Sequence, residues 1–268
     1  MKNKKNIKIG LALGGGGALG FAHIGVLEVL EENGIEVDLI AGISMGSIIG
    51  SAYASGKTTK EMKEIAYKFK TIHLLDINLK TGSLLSGYSA EKWIRNVLNI
   101  KDFNETKIPF ACTACDLYSG KEIVFKSGDI VKAVRASISA PAIFRPVEMD
   151  NMCLVDGGLL GNVPAQVVKD MGADIVIAVD VLGEYKVSKK PNSIITMIFD
   201  CIFLQQNFIT KTKITKKNTD VYINLNLGLD KQQVFSKKYA MKYIEKGREE
   251  TLKIIPLLKE KIEKLSKK

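Results

Sequence analysis

Histidine is almost absent from this chain: among 268 residues there are only His23 and His73. The nucleophile–acid–histidine order of an α/β-hydrolase is therefore excluded, because nothing after position 73 can supply the last member. Proline is sparse too, with six in all, and no long Pro- or Ser-rich linker or internal repeat divides the chain. A single α/β unit over 1–268 is expected, and with 46% hydrophobic residues it can bury a large core. Four cysteines fit a reducing, cytoplasmic setting. Cys112 and Cys115 form a C-x-x-C, but they lie in a strand-like run and no second pair completes a zinc site. Buried thiols, and no metal, are the expectation. Long hydrophobic runs are missing as well. Ile194 to Leu204 is apolar at nine of eleven positions, too short to span a bilayer and interrupted by Asp200. It reads as a core helix, with a helix that borders a pocket or touches membrane as the alternative. The formal charge of +10 comes without aromatic interleaving or a binding motif, so nucleic acid is not an expected partner.

What is present alternates. Strand-like and helix-like segments follow one another at 7–13, 20–33, 37–42, 45–55, 58–70, 89–99, 107–116, 121–126, 129–140, 152–156, 164–170 and 174–181. Such alternation predicts a three-layer α/β/α arrangement around a largely parallel sheet. Lys2, Lys4, Lys5 and Lys8 before an apolar stretch resemble a signal peptide. The stretch is read instead as the first strand, because cleavage there would remove the glycine loop that follows.

That loop is Gly14-Gly15-Gly16-Gly17-Ala18-Leu19-Gly20. It sits between the strand-like run Ile7 to Leu13 and a helical segment whose apolar positions 21, 24, 27 and 30 share one face. Glycines at a helix N-terminus leave backbone N–H groups open to an anion, either a phosphate or the oxyanion of an acyl transfer. Gly15-x-Gly17-x-x-Gly20 also matches the dinucleotide fingerprint. That reading needs an acidic residue at the far end of the next strand, whereas Glu36 and Asp38 stand at its start. A phosphate-binding P-loop is excluded because no Lys-Ser or Lys-Thr closes the run. At the far end of the second strand stands Gly42-Ile43-Ser44-Met45-Gly46. A serine at a strand-to-helix elbow is lifted above the sheet, and Gly42 and Gly46 let the two elements close around the bend. Ser44 is thus a candidate nucleophile, and the glycine loop with Met45 a candidate oxyanion cradle.

Such a nucleophile needs a base. His23, one turn into the first helix, could approach the site but is expected to be satisfied by a local hydrogen bond; His73 reads as a loop or helix-end residue. Asp156 ends a short apolar run and is followed by Gly157-Gly158, then Asn162-Val163-Pro164. With no histidine to do the work, Asp156 becomes the candidate base.

These pieces together resemble the patatin-like phospholipases, particularly small bacterial members. The resemblance runs from about Ile7 to Asp180 and has four parts in order: the glycine loop with Ala22-His23-Ile24-Gly25-Val26-Leu27; the elbow through Ser47; Arg135-Ala136-Ser137-Ile138-Ser139-Ala140-Pro141; and Leu154-Val155-Asp156-Gly157-Gly158 with the strand Ala173 to Asp180. It implies a patatin-like fold over about 7–181, with 188–268 as C-terminal helices and a basic tail packed on or flanking it. It also implies a Ser44–Asp156 dyad that needs no cofactor. Gly15, Gly16, Gly17 and Met45 would form the oxyanion hole, with Gly20, Gly42, Gly46, Gly157 and Gly158 in supporting positions. The implied activity is hydrolysis of lipid acyl esters, of phospholipase A or lysophospholipase type. One departure stands out: the family carries Arg or Lys where this chain has Leu19. With Leu19 expected at the cleft rim, its arginine variant should be more active, and a non-catalytic lipid- or partner-binding role is the alternative reading.

In the implied chemistry Ser44 attacks an ester carbonyl, Asp156 takes the proton, and water later cleaves the acyl-serine. An ordinary carboxyl with a pKa of about 3.9 lies roughly nine units below an alcohol, so full transfer before attack would cost about 12 kcal/mol. Transfer must be concerted with attack, and desolvation of the aspartate must help. Finally, Lys231 to Lys268 holds 12 Lys and Arg against 5 Glu, with apolar positions 252, 255, 258, 262 and 265 on one face despite Pro256. Such a face usually packs on the domain with its lysines in water; peripheral association with anionic lipid, on the inner membrane face, is the sharper reading of that charge.

Overall fold

The computed structural model describes residues 7–74, 76, 84–185, 187, 193–225 and 234–267. The N-terminal lysines 2, 4 and 5, together with Lys231 and Lys268, lie outside these residues. Eight strands form one sheet: β1 (Ile9–Leu13), β2 (Leu39–Gly42), β3 (Phe110–Asp116), β4 (Lys121–Phe125), β5 (Val147–Met149), β6 (Met152–Asp156), β7 (Ile175–Asp180) and β8 (Val221–Asn224). Their order is β5-β6-β3-β2-β1-β7-β8, with β4 also paired to β3. The five strands from β3 to β8 run parallel, whereas β4, β5 and β6 join antiparallel. β1, β2, β3 and β7 are buried at every position, as parallel strands covered on both faces must be.

The helices are α1 (Ala22–Glu32), α2 (Met45–Ala54), α3 (Thr59–Lys68), α4 (Tyr88–Leu98), α5 (Ile130–Ser137), α6 (Ala165–Asp170), α7 (Ile194–Lys213) and α8 (Lys237–Ser266). They make the outer layers of a three-layer α/β/α fold. The two sheet faces differ in size of side chain. Leu11, Leu13, Ile40, Ile175, Ile177 and Val179 face the large core beneath α1, α2 and α8. Ala12, Ala41, Ala111 and Ala178 face the short α6, with Val167 and Val168 against them. The small residues let α6 sit close: a Cβ on Gly10 would stand 2.2 Å from Val168 Cγ1.

β5 and β8 were not expected, and β8 extends the sheet into the part read only as helices. β5 is three residues long, and it exists because Asp150 and Asn151, both at positive φ, turn the chain into β6. The C-terminal amphipathic face also shifts. Tyr243, Ile244, Gly247, Thr251, Ile255 and Leu258 are buried on α8, whereas Leu252 is exposed. Ile194–Lys213 is one long helix rather than a short core segment, and its apolar residues divide between inside and outside.

Candidate active site

β1 and β2 are parallel neighbours with Leu13 opposite Gly42, so the loops after them emerge side by side at the carboxyl edge of the sheet. Chain order reverses between β1 and its other neighbour β7, which makes this edge the crevice where open α/β sheets hold ligands. Ser44 stands here at φ 52° and ψ −124°. A serine at such a φ is strained by about 1–3 kcal/mol, and the surroundings must hold it there. Ile43 N–H donates to Leu13 O, Gly46 N–H to Ile43 O, and Ser47 N–H to Ser44 O. Ser44's own N–H donates to Ser137 Oγ at 3.0 Å, from the end of α5. A Cβ on Gly46 would lie 2.2 Å from Leu13 O, and one on Gly42 would lie 2.4 Å from Gly46 O. Close approach of backbones is what these two glycines provide.

Asp156 arrives from the antiparallel side. It ends β6, opposite Ala114 of β3, and its N–H donates to Ser139 O at 3.0 Å. Its carboxylate is buried near Ser44, borders the same cavity, and accepts the Gly158 N–H at 2.8 Å. Burial raises its pKa from 3.8 to about 6, although Ser44 and the Gly158 N–H pull the other way. The structure therefore brings Ser44 and Asp156 together, from strands separated by β3.

The glycine loop is pinned through its carbonyls. His23 Nε2 bonds Gly14 O at 2.8 Å, and Asn162 Nδ2 donates to Gly15 O at 3.0 Å. A carbonyl can only accept, so the proton of His23 sits on Nε2. Its Nδ1 is buried with no partner among the described residues, and burial lowers the imidazole pKa from 6.5 to about 4. His23 is neutral and holds the loop. His73 lies in the 3-10 turn Thr71–Leu74, and its side chain is outside the described residues. Two expectations about the loop change. Gly15 N–H already donates to Asn162 O at 3.1 Å, so Gly15 shapes the cradle instead of offering a donor. Leu19 is fully buried in the large core, away from the cleft rim. Gly17 and Met45 each open a helix, so their N–H groups have no intrahelical carbonyl to bond.

Gly15, Gly16, Gly17, Ser44, Met45 and Asp156 all border one cavity of about 410 Å³. Away from them its walls are apolar. Phe21, Phe69, Trp93 and Phe235 form a chain of edge-to-face rings, with Phe69 4.8 Å from Trp93 and 5.3 Å from Phe235. Phe199, Ile202 and Phe203 of α7 add a further wall. Asn162 and Gln206 also border the cavity, and Asn162 Oδ1 and Gln206 Oε1 are buried with no partner among the described residues. Each can accept a hydrogen bond from a bound hydroxyl. Sequence reasoning gave no role to Ser137, Asn162 or Gln206. The first two stood within quoted motifs, whereas nothing near Gln206 marked it. Cys112 and Cys115 are buried, and burial pushes both thiols up. Among the described residues no cluster of three or more His, Cys, Asp or Glu could hold a metal.

Comparison with known proteins agrees with this fold. The family model for patatin-like phospholipases matches residues 11–169. An NTE family protein of Mycobacterium tuberculosis is 33% identical over 189 residues, 68% of this chain and 51% of the relative. Human patatin-like phospholipase domain-containing protein 6 is 36% identical over 181 residues, 65% of this chain and 13% of the relative. Lysophospholipase NTE1 of Scheffersomyces stipitis is 32% identical over 184 residues, 66% and 12% of the two chains. The chain thus spans about half the length of the first of these relatives, and far less of the others. In structure it resembles VipD from Legionella pneumophila, with a TM-score of 0.59 at 13% identity, over 92% of this chain and 66% of that one. It also resembles ExoU of Pseudomonas aeruginosa, with a TM-score of 0.51 at 16% identity, over 92% and 52%. The match across 11–169 places this chain in the patatin-like phospholipase family.

Proposed function

We propose that the chain is a serine esterase acting on acyl esters of lipids, of phospholipase A or lysophospholipase type, through a Ser44–Asp156 dyad. The observation that carries this reading is the strained Ser44 and the buried Asp156 carboxylate bordering one apolar cavity, with Ser44 among the groups that act on the carboxyl's pKa. The acyl chain lies along the aromatic wall, which brings its ester carbonyl to Ser44. Ser44 Oγ attacks as Asp156 takes its proton; the leaving alcohol receives that proton, and water then enters to cleave the acyl-serine under the same base. Raising the carboxyl from 3.8 to about 6 narrows the proton-transfer gap by about 3 kcal/mol. The N–H groups of Gly17 and Met45, beside Gly16, face the developing oxyanion, and one such donor can contribute about 3–4 kcal/mol. The names of the lysophospholipase and phospholipase relatives support this substrate class.

A non-catalytic binding role drew its support from Leu19 as a lost cation at the cleft rim. Leu19 is packed in the core, so that argument lapses. The test is labelling by a fluorophosphonate probe together with fatty-acid release from a lysophospholipid. Folded wild-type protein should do both, and Ser44→Ala neither. A folded wild-type chain that is not labelled would overturn the esterase reading.

A further inference from the structure

Helix α7 is apolar on two sides. Toward the protein, Phe199, Ile202 and Phe203 border the cavity. Asp200, the charge that interrupts the run, bonds the Tyr185 hydroxyl at 2.6 Å. Away from the protein, Ile194, Met197, Cys201, Leu204 and Phe208 recur at spacings of three and four, which keeps them on one stripe of a helix. They are turned to the outside: Ile194 is 73% exposed, Met197 50%, Leu204 45% and Phe208 70%, and Cys201 is exposed as well. Lys211 continues the stripe by one more turn, and Lys216 and Lys217 follow in the turn beyond, all exposed. Among the described residues no carboxylate is ion-paired with these three lysines. Large apolar side chains gathered on one exposed stripe mark an interaction surface.

We infer that the outer stripe of α7 rests on an anionic lipid surface. Its apolar side chains enter the boundary between headgroups and acyl chains, and Lys211, Lys216 and Lys217 lie against anionic headgroups. Two observations favour lipid over a second copy of the chain. The lysines end the stripe with uncompensated positive charge, which matches an anionic bilayer, whereas a parallel copy would set like charges against each other. The same helix also walls the cavity, so seating it on a membrane brings the acyl site to the source of its substrate. Exposed apolar side chains also stand next in sequence to lining residues elsewhere: Ile72 lies between Thr71 and Leu74, and Leu84 beside Leu85. No described helix is long and apolar enough to cross a membrane, so α7 lies on the surface.

The inference rests on the cavity being an acyl site, but vesicle binding is measured without hydrolysis, so either reading can fail alone. The full chain is sedimented with vesicles of phosphatidylglycerol and phosphatidylcholine. Replacing Met197→Ser and Phe208→Ser together should lower partition by about tenfold or more, as expected for two apolar side chains withdrawn from lipid. Hydrolysis of a soluble short-chain ester should stay within about twofold, as surface changes usually allow. Phe208→Trp keeps an apolar ring and should retain binding. Its emission, above that of the one native tryptophan, Trp93, should be quenched by bromine-labelled acyl chains. Unchanged partition of the double variant, or an unquenched Trp, would overturn the inference. So would a wild-type dimer that the double variant converts to monomer, because a second copy would then cover the stripe.

Discussion

Ser44 and Asp156 act as a unit in this reading, and their substitutions should show it. Ser44→Ala and Asp156→Asn are each expected to abolish ester hydrolysis, and the double variant should be no worse than either. His23→Gln should keep measurable activity where it folds, because His23 holds Gly14 and never touches the reacting atoms. Equal loss in a well-folded His23→Gln would sink the dyad. Activity should fall as pH drops through about 6, where Asp156 becomes protonated. Stability runs in opposite directions at the two groups. Asp156 is raised on folding, so the protein loses stability as pH rises from 3.8 to about 6. Asp156→Asn, which can still accept from Gly158, should therefore melt higher than wild type above that range, by as much as about 3 kcal/mol, and lose the advantage at lower pH. His23 is lowered on folding, so its contribution is full above 6.5 and is lost as pH falls to about 4. Leu19→Arg should not improve the enzyme. It puts a charge into a closed core, and thermal melting should show loss of stability by several kcal/mol or failure to fold. A well-folded, more active Leu19→Arg would mean that the position reaches the oxyanion after all.

Among elements, α8 packs on α1, the helix whose His23 helps to pin the glycine loop. The two helices touch backbone to backbone. A Cβ on Gly25 would lie 2.0 Å from Ile244 O, and one on Gly247 would lie 2.1 Å from Ala22 O. Arg248 closes the crossing with Glu28 and Glu32. Gly247→Ala should force the helices apart and cost about 1–3 kcal/mol in urea unfolding, despite alanine's better helix propensity. A neutral or stabilising result would show that α8 can shift without penalty.

Over the whole molecule, part of the positive charge that is densest in sequence is paired within the fold. On α8, Lys264 pairs with Glu260, Lys267 with Glu263, and Lys246 and Lys253 with Glu250. Much of the helix's charge is thus compensated locally. Charge reversal at Lys261, Lys264 and Lys267 should change binding to anionic vesicles only slightly. Reversal at Lys211, Lys216 and Lys217 should weaken it by about a hundredfold at physiological salt, at about 1 kcal/mol per basic residue near the surface. Salt titration of vesicle sedimentation checks both. If the α8 variant alone releases the protein, the tail is the lipid contact and α7 is not.

The alternation of elements, the glycine loop and the elbow were all legible in the sequence. Each is a local matter: a hydrophobic period, a backbone that only glycine allows, a serine where strand meets helix. Asp156 was marked by the apolar run before it and the glycine pair after it, with no later histidine to compete, and the resemblance implied its role. Strand β8 was missed because four residues with one polar neighbour carry too little periodicity to be distinguished from a turn. Other matters were decided by packing between distant segments. Leu19 falls in the core because the 3-10 turn Gly17–Phe21, which ends the loop, packs against α8. Gly15 loses its donor to Asn162, 147 positions along the chain. Ser137 holds the Ser44 amide from 93 positions away. The two faces of α7 read identically as sequence, since both are apolar. Which one walls the cavity and which one meets the outside is set by how the helix docks, and helical periodicity alone contains no information about that.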